Sequence, residues 1–280
     1  MGIAIPQVIT PSKASGAQVI DGSLKFDGSK SNRLTRTFGS AGNRTSWTWS
    51  CWTKRDLLTL SNRQVIFGGY SASNNTDWLE IGWDNSADHV YWTSNGVTSD
   101  GTAQRRDSAS WYHFFSIYDG SNLRIYVNNR LDLDYSVTGN MGINVAGAHY
   151  IGQSPKNAVD RHLDGRLSQC YFIDGQVLNP SDFAFTDPLT NTWKPKKYTG
   201  TFTGTNTFYL PFDGSAPIGQ DKSGNGNDFT PVNFGGSVEL DNPNVSGARP
   251  ILNTTQGGTQ AAVGVFGSKQ NVGYAVTVYN

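Results

Sequence analysis

The sequence predicts an all-β protein, and three features indicate this fold class. The first is the segment WYHFFSIYDGSNLRIYVN at residues 111–128, where two aromatic and β-branched runs flank an Asp-Gly pair. The second is a composition rich in Gly, Ser, Thr and Asn, which is typical of short strands joined by tight turns. The third is that few stretches show helical periodicity.

The segment 111–128 predicts a long antiparallel hairpin inside an extensive sheet. In its second half, side chains alternate between two faces with a period of two. One face carries Leu123, Ile125 and Val127, and the other carries Arg124, Tyr126 and Asn128. Such alternation is typical of a strand with one buried and one solvated face.

Further candidate strands follow one another at fairly regular spacing, separated by turn residues. They are residues 23–29, 33–38, 46–54, 64–70, 77–83, 89–94, 149–153 and 165–173. This spacing favours a two-sheet sandwich or jelly roll. After the last strand, residues 178–183 favour one short helical turn, capped by Asn179 or Ser181.

The chain divides into three predicted parts. Residues 1–18 are an extended arm, residues 19–192 form the sandwich, and residues 193–280 form a loop-rich extension with a few strands, including one at 273–280. The extension has too little apolar content for its own core, so we expect it to drape over the sandwich, join a neighbouring subunit or lead into further sequence. The first residues lack a secretory signal, which predicts synthesis in a cytosol.

Charge and cysteine content exclude several function classes. Basic and acidic residues balance at 22 each, which predicts no nucleic-acid partner, and the basic run 194–197 fits a solvated linker. No apolar stretch has the length of a membrane span, so we expect no membrane insertion. By strand parity, Cys51 and Cys170 face inward, as buried thiols in preference to a disulfide. Trp47 and Trp49 share the inward face of Cys51.

Four motifs resemble the laminin-G-like, concanavalin A-like jelly rolls across roughly residues 20–190. The hairpin resembles their central W-H-H-V-x-x-x-Y-D-G-S-x-L-R-x-Y-V-D-G segment. SLKFDGSKSNRL resembles the opening strand, SWTWSCWTKR the S-F-T-I-S-x-W-V-K-R strand, and GRLSQCYFIDGQVLNPSDF the closing G-x-I-D-E-V-R-I-Y strand. The resemblance implies an antiparallel two-sheet jelly-roll sandwich, and it specifies no activity.

The C-terminal extension resembles a segment found in fibre and surface proteins of tailed phages, marine ones especially. The resemblance lies in WKPKKYTGTFTGTNTFYLPFDGS, DKSGNGNDFTPVNF and RPILNTT. It implies a virion surface protein, either a tail fibre or adhesin or a capsid decoration protein, made in the host cytoplasm. Its partners would be other virion subunits, and a fibre would imply a homotrimer.

Calcium is the cofactor that the sequence leaves open. Members of the family often hold Ca²⁺ with an acidic residue of the closing strand, but Ser168 and Gln169 stand there in this chain. Asp27 and Asp164 remain as candidate ligands, although each also fits a turn-capping role.

A more crowded set of candidate metal ligands lies in the loop DKSGNGND. It contains Asp221, Asn225, Asn227 and Asp228, whose oxygens suit Ca²⁺. The alternative is that these side chains bond their own backbone in Asx turns.

Catalysis is not expected. Glycosidases on this fold use paired carboxylates on one strand, and the comparable pair here is Glu80 and Asp84. Residues four apart on a strand lie about 13 Å from each other. The two catalytic carboxyl groups of a glycosidase are separated by about 5 Å in retaining enzymes and by under about 10 Å in inverting enzymes. Gly82 occupies the position of the intervening carboxylate, and no nucleophile elbow is present.

Sugar binding is the alternative that the residues leave open. Aromatic and polar residues of the kind that sugar binding needs stand on outward positions by strand parity: Trp52, Trp78 with the nearby Glu80, and Tyr91. The same residues would also fit cross-strand pairs or a subunit contact. The sequence therefore favours a non-enzymatic virion surface protein, with a lectin-like adhesin for host surface glycans as the alternative and a glycosidase as the less favoured one.

Overall fold

The computed structural model describes residues 16–18, 20, 22–58, 61–73, 77–85, 87–156, 160–212 and 217–234. The strand predicted at 273–280 and most of the predicted arm lie outside these residues. Within them, the prediction of an all-β two-sheet sandwich is confirmed. No helix in the described part of the chain has the length and apolar character of a membrane span.

Sixteen strands, numbered along the chain, form in the described residues, and two large antiparallel sheets contain most of them. Across sheet A the order is β1 (Leu24–Phe26), β12 (Gly165–Asp174), β3 (Trp47–Arg55), β8 (Tyr112–Tyr118), β9 (Asn122–Val127) and β10 (Arg130–Ser136). A short strand, β15 (Phe208–Leu210), follows β1 along the same edge of β12.

Sheet B packs against sheet A. Its order is β16 (Thr230–Val232), β2 (Arg33–Phe38), β11 (Gly147–Ile151), β4 (Gln64–Tyr70), β5 (Trp78–Trp83), β6 (Val90–Ser94) and β7 (Val97–Asp100). A separate hairpin pairs β13 (Ala184–Thr186) with β14 (Trp193–Pro195). Short 3₁₀ turns occupy Gly28–Lys30 and Pro180–Asp182.

The predicted hairpin and helical turn are both confirmed. Asp119 Oδ1 accepts hydrogen bonds from the backbone N–H groups of Ser121 and Asn122, and Gly120 takes a φ of +88°. An aspartate that bonds the residues after it, followed by a glycine with positive φ, closes a tight turn at low cost. The turn Pro180–Asp182 begins after Asn179, so of the two proposed caps it is Asn179 that precedes it.

Strands β7 and β10 were not predicted. Their sequences, VTSD and RLDLDYS, are short or strongly polar. Each strand lies at the edge of its sheet, where exposed polar side chains are tolerated because one side of the strand has no neighbour.

The core lies between the two sheets and is dominated by aromatic side chains. The Trp49 ring of sheet A stacks on the Phe67 ring of sheet B, with 4.4 Å between centroids and 7° between planes. Trp47, Cys51 and Cys170 are also buried there, and both cysteines are free thiols. The inward orientation predicted for these residues is confirmed.

Part of the predicted C-terminal extension contributes to this core. β15 pairs with β12 and β16 pairs with β2, so the segment adds one strand to each sheet. Phe208 packs against Phe172 and Phe229, with ring centroids 5.6 Å and 4.8 Å away. Strands β15 and β16 therefore seal one edge of the sandwich.

A second layer covers the outer face of sheet A. Residues after β12 place Phe183 and Tyr198 against the outward-facing Phe115 and Tyr171. Beside them, β13 and β14 cover the part of the face that carries Trp52 and His113. Sheet A is therefore buried on both faces over much of its width.

Two buried histidines are held in the neutral form: His113 lies beneath this second layer, and His149 packs against core rings between the sheets. His113 Nδ1 accepts a hydrogen bond from Trp193 Nε1 at 3.1 Å, and His149 Nε2 accepts one from the Asn144 N–H at 3.0 Å. Burial lowers the pKa of His113 to about 3 and that of His149 to about 4. Neither ring is therefore charged at neutral pH.

The contribution of the C-terminal segment to stability can be tested at Phe208. Replacing Phe208 with Ala should lower the free energy of unfolding by about 3–5 kcal/mol, because it opens a cavity between the sheets. Leu189→Ala is the control, since Leu189 is 66% exposed and its loss should cost within about 0.5 kcal/mol. Urea unfolding measures both, and equal stabilities would show that residues 208–210 are not part of the cooperative core.

The buried histidines predict acid sensitivity. Below their ordinary pKa of 6.5, the unfolded chain binds protons that the folded chain does not. The free energy of unfolding should therefore fall as the pH drops from about 6.5, by about 1.4 kcal/mol per pH unit for each histidine. The loss should level off near the folded pKa values of about 4 and about 3. Urea unfolding of His113→Gln between pH 5 and 6.5 should show a shallower slope than wild type, and an identical slope would contradict this account.

Candidate functional site

The outer face of sheet B carries three of the four residues predicted to bind sugar. Trp78 and Glu80 project outward from β5, and Tyr91 projects outward from the neighbouring β6. Glu80 lies opposite Gly68 of β4, where a Cβ would come within 2.9 Å of Pro155. The chain after β11 therefore passes close over this part of the sheet.

Glu80 is fully buried and paired with a cation. Its Oε2 accepts a hydrogen bond from Arg161 Nη1 at 2.8 Å, and its Oε1 accepts one from Ser154 Oγ. Burial alone would lower the pKa of the Arg161 guanidinium, but the charge and hydrogen bond of Glu80 raise it above its ordinary value. The carboxylate is thus held as one half of an ion pair.

Tyr91 and Trp78 are also covered, each by a cation. The Arg63 guanidinium lies 4.9 Å from the Tyr91 ring centroid, and the Lys156 ammonium lies 4.3 Å from that of Trp78. Tyr91 has no exposed surface and Trp78 is 7% exposed. Burial raises the pKa of Tyr91 well above its ordinary value, and the charge of Glu80 raises it further.

Trp52, the fourth predicted residue, lies on the other sheet. It faces outward from β3, stacks on His113 at 5.3 Å between ring centroids, and is 5% exposed beneath Ile20 and Ala184. All four residues face outward from their strands, as predicted, but they lie on two different sheets and all four are buried. Segments distant in sequence cover each of them, and a sugar-binding role for these side chains stays a prediction.

The carboxylate pair considered for hydrolysis is engaged in separate contacts. Asp84 Oδ1 lies 3.5 Å from Arg63 Nε, and its Oδ2 accepts a hydrogen bond from the Ala87 N–H. Glu80 is paired with Arg161 instead. Each carboxylate therefore has its own cation, an arrangement suited to stabilising a folded surface.

Sequence reasoning missed a buried serine–histidine pair. Ser50 Oγ lies 2.8 Å from His113 Nε2, on the outer face of sheet A. Because His113 Nδ1 accepts from Trp193, the proton of the neutral ring resides on Nε2 and is donated to Ser50. A histidine in this tautomer cannot take the serine proton, so the pair does not activate a nucleophile. Strand parity places both residues on one face, which is the signal that would have found them.

In the loop predicted to bind a metal ion, the aspartate carboxylates accept hydrogen bonds from backbone N–H groups. Asp221 Oδ1 accepts from the Tyr209 and Ser223 N–H groups, and its Oδ2 accepts from the Asn227 N–H. Asp228 Oδ1 accepts from the Asp221 N–H. These bonds are those of the Asx-turn alternative.

The amides of the same loop mainly donate. Asn225 Nδ2 and Asn227 Nδ2 both bond the Thr207 carbonyl, and Asn227 Oδ1 accepts from Arg36. The residues that the structure describes contain no group of three or more His, Cys, Asp or Glu side chains able to hold a metal ion. Calcium binding in this loop stays a prediction.

The alternative calcium candidates cap turns. Asp27 Oδ1 accepts from the Ser29 N–H at 2.9 Å, and Asp164 Oδ2 accepts from the Gly28 N–H at 3.2 Å. Both carboxylates therefore stabilise the 3₁₀ turn that follows β1, as their turn-capping interpretation predicted.

The buried ion pair between Glu80 and Arg161 predicts that substitutions at these two residues have strongly coupled effects on stability. Arg161→Met should lower the free energy of unfolding by about 2–4 kcal/mol, because it leaves the Glu80 carboxylate buried without a cation. Adding Glu80→Gln should recover part of that loss, because a neutral amide costs less to bury. Arg124→Met is the control, since Arg124 lies in a solvent-accessible ion pair with Asp119 and should matter by less than about 1 kcal/mol. A double variant no more stable than Arg161→Met would contradict this coupling.

Three solved structures are among those similar to this chain. A candidate carbohydrate binding protein from Bacteroides ovatus is 16% identical, with a TM-score of 0.51, and the match covers 76% of this chain and 58% of that one. A heptameric SAP-like pentraxin from Limulus polyphemus is 16% identical, with a TM-score of 0.45 and coverage of 58% and 80%. Domains LG4-5 of the mouse laminin alpha1 chain are 10% identical, with a TM-score of 0.43 and coverage of 70% and 48%.

At 16% identity, the similarity to the B. ovatus protein shows a shared fold and no more. The chain spans less than two thirds of the length of the B. ovatus protein. The search of curated proteins gave no significant match. The sequence model of the Concanavalin A-like lectin/glucanases superfamily matches residues 27–183, which is more than half of the chain. The chain therefore belongs to the concanavalin A-like lectin/glucanases superfamily.

Proposed function

We propose that this chain is a non-catalytic carbohydrate-binding protein. The superfamily description names two kinds of activity, sugar binding and sugar hydrolysis. The observation that carries the proposal is the state of Glu80, which has no exposed surface and is paired with Arg161. Of the two activities, binding is the one that needs no free carboxylate.

Hydrolysis requires a carboxyl group that can reach the glycosidic oxygen. A general acid must lie within hydrogen-bonding reach of the atom that it protonates, and a second carboxylate must act as base or nucleophile. In the described chain Glu80 is shielded by Ser154 and Arg161, and Asp84 is bound to Arg63. The buried His113 is a hydrogen-bond donor to Ser50, so it offers no substitute base.

Sugar binding also agrees with the similar solved structure. The B. ovatus protein is described as a candidate carbohydrate binding protein, and the match covers 76% of this chain. Because one fold hosts many functions, the residues of this chain itself must supply the binding surface.

We also propose a place of action. The resemblance of the C-terminal segment to phage fibre and surface proteins supports a virion surface protein, as a tail fibre, an adhesin or a capsid decoration. Host surface glycans would then be the ligand, and other virion subunits, including copies of this chain in a trimer, would be the partners. A purely structural subunit that binds no glycan is the second candidate, supported by the same segment.

A glycan array with the labelled full-length chain tests the proposal. We expect concentration-dependent binding to a subset of glycans, and no new reducing ends when the bound glycan is incubated with the protein. The variant Glu80→Gln, checked for folding by circular dichroism, should keep the binding because Glu80 is enclosed by protein.

Two outcomes would contradict the proposal. Absence of binding across the array would favour the structural subunit. Release of reducing ends by wild type, abolished in Glu80→Gln, would identify a glycosidase instead.

A further inference from the structure

An open cleft lies on the outer side of sheet A, outside the region predicted to bind sugar. Two segments form it: one follows β12 and contains Gln176, Leu178 and Asp182, and the other follows β14 and includes Lys196 and Tyr198. The cleft has a volume of about 440 Å³. Small-molecule sites in proteins are typically about 300–1,000 Å³, so this cleft is large enough for a sugar unit.

The wall of the cleft that contains Tyr198 is tightly packed. The Tyr198 ring stacks on Phe183 with 4.8 Å between centroids and 11° between planes, and it meets Phe202 edge-on at 5.4 Å. Tyr171 and Tyr209 extend this aromatic cluster, with 4.2 Å between their stacked rings. The packing fixes the Tyr198 hydroxyl at the edge of the cleft, so its wall is formed before any ligand binds.

Hydrogen bonds join the two segments that form the cleft, and one of these bonds reaches the 3₁₀ turn Pro180–Asp182. The Lys196 N–H donates to the Phe183 carbonyl at 2.9 Å, and Lys196 Nζ donates to the Ser181 carbonyl at 2.7 Å. Gln176 Nε2 donates to the Thr201 carbonyl at 3.1 Å across the opening. A preformed cleft avoids much of the ordering cost of binding.

Polar capacity remains in the cleft after these bonds. Among the described residues, the Asp182 carboxylate has one side-chain hydrogen bond, from the Asn179 N–H to Oδ2 at 2.8 Å, and the Lys196 ammonium has the single bond to Ser181. A carboxylate accepts about four hydrogen bonds and an ammonium donates three. No ion pair within 4.0 Å joins Asp182 to Lys196 in the part of the chain described, so both groups retain hydrogen-bonding capacity for a ligand.

A cleft that offers both hydrogen-bond acceptors and hydrogen-bond donors suits a ligand with many hydroxyl groups. A sugar hydroxyl both donates and accepts, so it can bond Asp182 and Lys196 in turn. Leu178 and the edge of Tyr198 offer apolar contact for the carbon side of the ring. One carboxylate and one ammonium line the cleft. This balance favours a ligand without net charge, because the attraction of a charged sugar to one group is offset by its repulsion from the other, and desolvating its charge costs free energy.

We propose that this cleft binds a neutral sugar unit, with Asp182 and Lys196 as the polar contacts and Tyr198 as the wall. The inference rests on the proposed carbohydrate-binding function and assigns it to a surface formed partly by residues beyond the family match, which ends at residue 183. Gly200 is part of the same wall, and a Cβ at this position would collide with the Tyr198 ring.

The test uses the full-length chain and a neutral glycan from the array, measured by isothermal titration calorimetry. The double variant Asp182→Asn, Lys196→Met should weaken binding by about tenfold or more, since it removes two charge-assisted hydrogen bonds. The amide that replaces the carboxylate in this variant would keep an acceptor for the Asn179 N–H. The matched control is Lys25→Met, Asp107→Asn, which removes the same charges from two exposed positions away from the cleft and should leave affinity unchanged.

A second variant, together with a measurement on the wild-type chain, tests the cleft even if the double variant fails to fold. Gly200→Ala should also weaken binding by displacing the Tyr198 wall. Hydrogen–deuterium exchange of the wild-type chain should show that the glycan protects residues 196–203. Addition of a carboxylate to the glycan, as in its uronic acid counterpart, should lower affinity.

The outcomes separate this inference from the proposed function. Glycan binding that is unchanged in the cleft variants, or protection confined to other segments, would overturn the cleft while leaving carbohydrate binding intact. Tighter binding of the acidic counterpart would overturn the assignment to a neutral sugar. Absence of binding to every glycan by wild type would overturn the proposed function, and the cleft assignment with it.

Discussion

The contact between Trp49 and Phe67 joins the two sheets, and the remaining architecture depends on it. Trp49 lies in the middle of β3, and Phe67 lies beside a register shift in β4. Their stacked rings fix the separation of the sheets, and Phe172 and Phe208 pack around them from β12 and β15. Once this layer is formed, every second residue of each strand must face outward. The outward faces are therefore the broad surfaces of the sheets that other segments or a ligand can cover.

The outward faces of the two sheets are covered by different kinds of groups. On sheet B, a carboxylate and two aromatic rings are covered by cations, so that the charge of Glu80 is balanced by Arg161 rather than used on a substrate. On sheet A, an aromatic cluster supports a covering layer, and that layer creates the cleft at its own surface. The framework of the superfamily is retained, while the proposed ligand-binding cleft is formed by segments outside the two large sheets.

Much of the sandwich was predictable because strands carry local signals. Alternation placed Leu123, Ile125 and Cys51 inward, and the Asp-Gly pair placed the hairpin turn. Burial of the outward residues was not predictable, because it depends on partners far along the chain. Arg161 is 81 residues from Glu80, and Ala184 is more than a hundred residues from Trp52. The cleft is formed by coil without periodic pattern, so no sequence rule brings its two segments together.

We propose that this sandwich binds sugar at its outer surface and performs no chemistry with Glu80. A crystal structure of the full-length chain with an array-selected glycan bound would test it most directly. The account predicts the glycan on the outer surface of sheet A, with Glu80 still bonded to Arg161 and Ser154 as it is without ligand. A glycan lying against Glu80, with the Arg161 bond broken and the carboxylate at the glycosidic oxygen, would contradict it.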